Sequence, residues 1–274
     1  MINLVIGLGK NKKVLQAIEE TAENENIDIK IAKNKEELIE AVKDKNIHAV
    51  IRGSLTSSII KDLKNLNNFE NINESNQFSS SKSLKSINRA SYIQKDDKEF
   101  LLAPVGIDEG ESIDEKVEIA IQSFEFIKKC GKVPKIAILA GGRREDFGRN
   151  QKIDKTLTES EKLSSKLKEE IEKKILKRSS NSLSKGKEEF NTEYSIKNYY
   201  ILIEKAISEG NNIIIAPDGI IGNLLFRTLV LLNSYNSYGA IALGFNKVFI
   251  DTSRDQSKEG YLRAIKLAYK LANE

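Results

Sequence analysis

Residues 211–254 constrain this chain more than any other stretch. They read NNIIIAPDGIIGNLLFRTLVLLNSYNSYGAIALGFNKVFIDTSR. A short β-branched run, Ile213 to Ile215, leads into the turn Ala216-Pro217-Asp218-Gly219. Gly222-Asn223 then stands at the head of an apolar helix expected over Leu224 to Leu232. Two β-type segments follow, Gly239 to Leu243 and Lys247 to Ile250, and the second ends in Asp251-Thr252-Ser253-Arg254. Strand, Gly/Asp turn, helix and strand, with polar residues just past the strand ends, is how open α/β sheets build ligand sites.

The N-terminal part repeats that logic. Apolar strands are expected at Ile2 to Ile6, Ile27 to Ala32 and Ala49 to Ile51. Helices are expected at about Lys12 to Asn24 and Lys35 to Lys45. This βαβαβ order implies a parallel sheet with crossover helices. Asn67 to Asn88 is polar and without apolar periodicity, so it reads as a solvated insertion or flexible loop. A strand is expected at Phe100 to Val105, and an amphipathic helix at Ile113 to Lys129 with Val117, Ala120, Ile121 and Phe124 as its stripe. Gly131 to Pro134 reads as a link, and Ile136 to Leu139 as a buried strand. Thr158 to Lys177 is a charged helix striped by Leu163, Leu167, Ile171 and Ile175. That stripe suits a docking face, or more ordinarily a surface helix. Ser179 to Asn191 is a low-complexity connection, Tyr194 to Ser208 a helix, and Glu259 to Ala272 the closing helix.

Composition excludes several chemistries. Basic and acidic residues number 44 and 40, a balance that is not a nucleic-acid footprint. Cys130 is the only cysteine, so neither an intrachain disulfide nor a cysteine-based metal site is expected. His48 is the only histidine, which excludes a multi-histidine metal site and leaves no Ser-His pairing for a hydrolase triad. Without a signal peptide or a membrane-length apolar run, the expected compartment is the cytoplasm.

Three strand-end loops carry the candidate chemistry. They are Arg52-Gly53-Ser54 with Thr56 and Ser57, the segment Gly141-Gly142-Arg143 to Arg149 with Asp146 inside it, and Asp251 to Arg254. Glycines let the main chain approach an anion, hydroxyls donate to it, and Arg offers a planar fork for phosphate or carboxylate. Gly222-Asn223 would add N–H donors at a helix start. Together these predict a site for an anionic ligand. Asp218 is equally a helix cap or a site residue. Arg227 either pairs with a carboxylate or reaches the ligand. Gly7-Leu8-Gly9 lacks a third fingerprint glycine and reads as a tight turn.

Pro217-Asp218, Gly222-Asn223, Phe226-Arg227, Gly239-Ala240-Ile241 and Asp251-Thr252-Ser253-Arg254 resemble, in order and spacing, the C-terminal signature of the phosphate acetyl/butyryltransferase family. Arg52-Gly53 with Thr56-Ser57 is similar to that family's first-domain segment. A longer match is to the methanogen family called methanogenesis marker protein 4 or methyltransferase-related subunit X. It rests on Gly141-Gly142-Arg143, Asp146-Phe147-Gly148-Arg149, Ala216 to Leu229 and Ile250 to Arg254.

The resemblance implies two α/β/α domains with mainly parallel sheets, of the isocitrate/isopropylmalate dehydrogenase-like (phosphate acetyltransferase-like) type, with the site in a cleft between them. The first domain would be 1–131 with 246–274, including the insertion at 67–88. The second would be 132–245, including the charged helix and mobile connection at 158–191. In the acyltransferases, a Ser-Arg pair holds the acyl phosphate and a later Asp helps deprotonate the coenzyme A thiol. Carried over, Ser253 and Arg254 keep the anion role, while the Asp position is Gly260 with Glu259 beside it. The family's Lys is Arg227. Arg52, Arg143, Arg149 and Arg254 would neutralise the anion, Ser54 and Ser253 would orient it, and Asp146, Asp218 and Glu259 are the acid/base candidates. The implied function is a methanogenesis-linked transferase acting on a small phosphate, carboxylate or coenzyme anion. No cofactor is evident beyond coenzyme A or another phosphate-bearing coenzyme. The alternative is a non-catalytic or ligand-sensing subunit of a corrinoid methyltransferase complex. The expected partners are the small anionic substrate, corrinoid methyltransferase subunits and a second copy in a homodimer, with no nucleic acid or membrane.

Overall fold

A computed structural model of the chain describes residues 1–21, 26–65, 87–183, 193–245 and 247–273, with 177–183 described by backbone alone. The chain divides into two compact units, Met1–Ile93 with Tyr235–Glu274 and Gln94–Ser234. Among the described residues, no helix is long and apolar enough to cross a membrane.

Unit 1 begins with β1 (Ile2–Gly7), α1 (Lys13–Thr21), β2 (Ile27–Ala32), α2 (Lys35–Lys43) and β3 (Ala49–Ile51). Residues 59–65 are helical and are called α3. Next comes β4 (Asn88–Lys95), most of which lies in unit 1. β1 pairs in parallel with both β2 and β3. Every residue of β3 is buried, as expected for a parallel strand covered on both faces. On one layer, Leu38 and Val42 of α2 and Ile59 and Leu63 of α3 form a cluster with Val5 and Val50. Leu4 and Ile6 alternate with Val5 and supply the other side of β1. Asn34 starts α2 by accepting from the Glu37 N–H at 2.8 Å.

Unit 2 contains β5 (Lys98–Ala103), α4 (Ile113–Lys129), β6 (Lys135–Leu139), α5 (Gln151–Leu183), β7 (Ser195–Tyr200), α6 (Ile203–Ser208), β8 (Ile213–Ile215) and α7 (Gly219–Arg227). β5 with β8, β8 with β6 and β6 with β7 are all parallel. The loops after these strands therefore gather at one sheet edge. α4 starts at a capping box, in which Ser112 and Glu115 each accept from the other's backbone N–H.

The chain returns to unit 1 with β9 (Asn236–Leu243), β10 (Val248–Asp251) and α8 (Lys258–Asn273). β10 adds to β3 in parallel and pairs with β9 antiparallel. α8 packs against α1, β1, β3, β9 and β10. The α/β class with mainly parallel pairing holds as expected.

Four local expectations need correction or a limit. Residues 194–208 are not one helix: Ser195–Tyr200 is a strand and only Ile203–Ser208 is helical. The backbone of 195–200 is taken up by pairing with β6, and Tyr200 has φ 58, where a right-handed helix cannot pass. The charged helix starts at Gln151, because Asn150 accepts from the Lys152 N–H at 2.8 Å, and it runs through Leu183 into the expected connection. Residues 184–192 and the polar insertion at 66–86 lie outside the described residues. The apolar helix begins at Gly219, with Asp218 accepting from the Ile221 N–H at 2.8 Å, and changes to a π-type turn over Thr228–Leu232. The Gly222 N–H is consequently inside the helix, bonded to the Asp218 carbonyl at 2.9 Å.

Candidate functional site

In unit 1, β1, β3 and β10 run side by side in parallel, so their carboxyl ends share one edge. Three loops follow them, at 8–12, 52–58 and 252–257. The first two touch main chain to main chain. Gly53 has φ +62, and a Cβ there would lie 1.8 Å from the Gly7 carbonyl oxygen. A side chain at Gly9 would meet the Ser54 carbonyl oxygen at 2.3 Å. Ser54 donates its N–H to the Gly7 carbonyl at 3.0 Å, and its Oγ accepts from the Gly9 N–H at 2.8 Å. The hydroxyl of Ser54 is therefore buried in a tie between loops. Arg52 is buried as well. Its guanidinium donates to the Asp251 carboxylate and to the carbonyls of Leu55 and Thr252.

The third loop is fixed by its backbone. Thr252 Oγ1 donates to the Gly53 carbonyl at 2.8 Å. The buried Tyr261 hydroxyl lies 2.9 Å from the carbonyls of both Ser253 and Arg254. Asn11 Nδ2 donates to the Arg254 carbonyl at 3.0 Å and the Gln256 carbonyl at 3.1 Å. With the main chain held, the side chains of Thr56, Ser57, Ser253 and Arg254 are exposed. Fixed loops carrying exposed hydroxyls and a guanidinium at the carboxyl edge of a parallel sheet suit an oxyanion.

The acid/base candidate of unit 1 is weak. Glu259 stands exposed in the first turn of α8, where its own backbone N–H, the Ser257 hydroxyl and nearby Lys258 and Arg263 hold its carboxyl below the ordinary 4.5. A lowered carboxylate is a poorer proton acceptor. Gly260 is buried, and a Cβ there would meet Gln256 Cγ at 2.3 Å and Nε2 at 2.4 Å. Gln256 thus fills the space beside Gly260, and its Oε1 accepts from the Ser253 N–H at 3.2 Å.

In unit 2, the loop after β6 forms a small charged turn. Asp146 accepts from the Arg143 N–H at 2.8 Å and from Arg149 Nη1 at 2.6 Å. These bonds hold its carboxyl below the ordinary 3.8. The Gly141 N–H donates to Thr156 Oγ1 at 2.9 Å, and Gly142 is buried against Ile153 and Asp146. The side chains of Arg143 and Arg149 remain exposed. The other group sits on α7. Asp218 is its cap, Asn223 Nδ2 donates to the Val105 carbonyl at 3.1 Å, and a Cβ at Gly222 would lie 1.8 Å from the Pro104 carbonyl oxygen. Arg227 is exposed in the last turn. Asp218, Gly222 and Asn223 are accounted for by seating α7 on the loop after β5.

Sequence reasoning missed two features of the unit 1 edge and gave no separate role to a third, a residue of the Asp251 to Arg254 loop it had marked. Lys10, Asn11 and Lys12 follow the Gly7-Leu8-Gly9 turn, and both lysines are exposed beside the loop that carries Arg254. The local pattern Gly-Lys-Asn-Lys at a strand end was the available signal. Tyr261, a buried hydroxyl on an amphipathic helix, gave no signal separate from core packing. The third is Asp251, whose carboxylate lies against Arg52 and Arg89.

No family model matches the chain. Over 276 residues it is 34% identical to an uncharacterized methyltransferase of Methanocaldococcus jannaschii, covering 97% of this chain and 96% of that protein. Over 165 residues it is 39% identical to a Methanosarcina acetivorans protein named as a methyltransferase mtx subunit X, covering 60% of this chain and 51% of that protein. Among solved structures, a branched-chain phosphotransacylase from Enterococcus faecalis superposes with a TM-score of 0.68 at 16% identity, over 100% of both chains. A β-decarboxylating dehydrogenase from Thermococcus kodakarensis gives 0.52 at 11% identity, over 99% of this chain and 82% of that one. These structures show a shared fold.

Proposed function

This chain belongs to the methyltransferase mtx subunit X family and has the fold of the phosphotransacylases, and from that premise we propose that it is a transferase-type protein binding a small oxyanion-bearing ligand at Ser253 and Arg254. The observation that carries this reading is the loop edge of unit 1. There the main chain of Ser253 and Arg254 is held by Tyr261 and Asn11 while both side chains stay exposed. Thr56, Ser57, Lys10 and Lys12 add hydroxyls and cations from the neighbouring loops. A phosphate, a carboxylate or the phosphate of a coenzyme such as coenzyme A satisfies that chemistry. Arg143 and Arg149 form an exposed basic turn in unit 2, whose charge is partly offset by Asp146.

A second reading is favoured by the proton-acceptor position. Gly260 supplies no carboxylate, Gln256 fills the adjacent space, and Glu259 is held below its ordinary range. These features support a ligand-binding subunit of a methyltransferase complex, the setting that the relatives' names suggest, over an acyl-phosphate:thiol exchanger.

Calorimetry with inorganic phosphate and coenzyme A, together with an acetyl phosphate:coenzyme A assay, tests both. Phosphate binding that Arg254→Ala weakens by about tenfold or more is the expected result for one lost charge-assisted contact. Binding that survives Arg254→Ala unchanged overturns the site. Turnover abolished by Arg254→Ala selects the enzyme. Binding without turnover, with a corrinoid protein co-purifying, selects the subunit.

A further inference from the structure

We propose that Asp251 is a positioning residue of the oxyanion site, acting through Arg52. The inference rests on the reading of Ser253 and Arg254 as the anion-binding pair. Asp251 ends β10, two residues before Ser253. Its two carboxylate oxygens are divided between two guanidinium groups: Oδ1 accepts from Arg52 Nε and Oδ2 from Arg89 Nη1 at 3.2 Å. The three side chains are 6%, 15% and 10% exposed for Arg52, Arg89 and Asp251, so the cluster is largely desolvated.

Arg52 has three ends and all are in use. Nε holds Asp251, Nη1 holds the Leu55 carbonyl and Nη2 holds the Thr252 carbonyl. A planar guanidinium points its donors in fixed directions, so fixing one end fixes the other two. Asp251 thereby orients a brace that joins the loop carrying Thr56 and Ser57 to the loop carrying Ser253 and Arg254. Thr252 Oγ1 on the Gly53 carbonyl is a second tie between the same loops. A cation already paired with a buried carboxylate and two carbonyls is committed to the protein. Arg52 therefore sets the frame, and Arg254, exposed on that frame, meets the ligand.

The test uses the full chain, with Asp251→Asn and Arg52→Lys as separate variants. The first keeps the shape of the side chain and removes its charge. The second keeps the charge and removes the three-way fork. Hydrogen exchange should rise by about tenfold or more at 53–57 and 252–256 in both variants, while β1 and β3 stay protected. Phosphate affinity should fall with Asp251→Asn, and adding Arg254→Ala should then cost little more, because contacts acting through one frame are not additive. Unchanged exchange in the two loops overturns the proposal. So does exchange raised equally through β1 and β3, which marks Asp251 as a residue of the fold alone, and so do independent, additive losses of affinity. Failure of the unaltered chain to bind phosphate fails the anion reading instead, and the exchange arm still decides the brace.

Discussion

Gly53 shows how one residue can be fixed twice, by backbone angle and by space. Its φ of +62 is unfavourable for any side chain, and the Gly7 carbonyl occupies the position a Cβ would take. Gly131, at the end of α4, has φ +71 but no atom within 4 Å of its Cβ position. Gly131→Ala should therefore cost only the left-handed backbone penalty, about 1–2 kcal/mol. Gly53→Ala should cost clearly more than that. Urea unfolding of the two variants checks the order. Asp146 gives a second expectation at this scale. Its folded carboxyl lies below its ordinary 3.8, chiefly through the Arg143 N–H and then Arg149. Between the two values the unfolded chain binds more protons, so stability rises with pH there. The contribution is fully present above the ordinary value and is lost as pH falls through the folded one. Carboxyl-carbon NMR should place the Asp146 midpoint below 3.8, and Arg149→Ala should raise it towards that value.

Elements explain why some of the sequence candidates serve the fold. α7 is capped by Asp218, and Gly219 donates to the Glu109 carbonyl at 2.9 Å while Gly222 leaves room for Pro104. As a cap, Asp218→Ala should cost about 1 kcal/mol of stability and leave phosphate affinity unchanged. Thermal unfolding and calorimetry on the same variant separate a cap from a ligand-binding acid. The charged helix α5 teaches the same lesson. Leu163, Leu167 and Ile171 of its stripe are buried, and the helix packs against α4 and β7. The stripe is core of unit 2, which removes the apolar part of the docking face considered from the sequence. The helix start at Asn150 and the strand at Ser195–Tyr200 were not legible in advance, because one depends on a single side-chain cap and the other on the presence of β6.

At the scale of the whole molecule, unit 1 joins segments from the two ends of the chain. α8 supplies Tyr261, Ala264, Ile265 and Ala268 to its core, and Tyr261 also holds the Ser253–Arg254 turn. Removing residues 258–274 should leave β1, β3, β9 and β10 without one covering helix, with loss of protection in those strands and of phosphate binding. Limited proteolysis and calorimetry on the truncated chain check both. The homodimer expected from the family resemblance is a matter for sedimentation of the intact chain.

The sequence by itself determined the parallel α/β character, through short β-branched runs alternating with amphipathic helices. It also marked the residues past the strand ends, because Gly, Ser/Thr and Arg crowd there in Asp251 to Arg254 and in Arg52 to Ser57. Only the tertiary structure decided what each of those residues does. Arg52 and Arg254 look alike in sequence, yet Arg52 is buried against Asp251 and two carbonyls while Arg254 is exposed. The physical reason is that a guanidinium's role depends on which acceptors surround it. Two of the three, the Asp251 carboxylate and the Thr252 carbonyl, come from positions about 200 residues away in the chain, brought to Arg52 only when β10 pairs with β3.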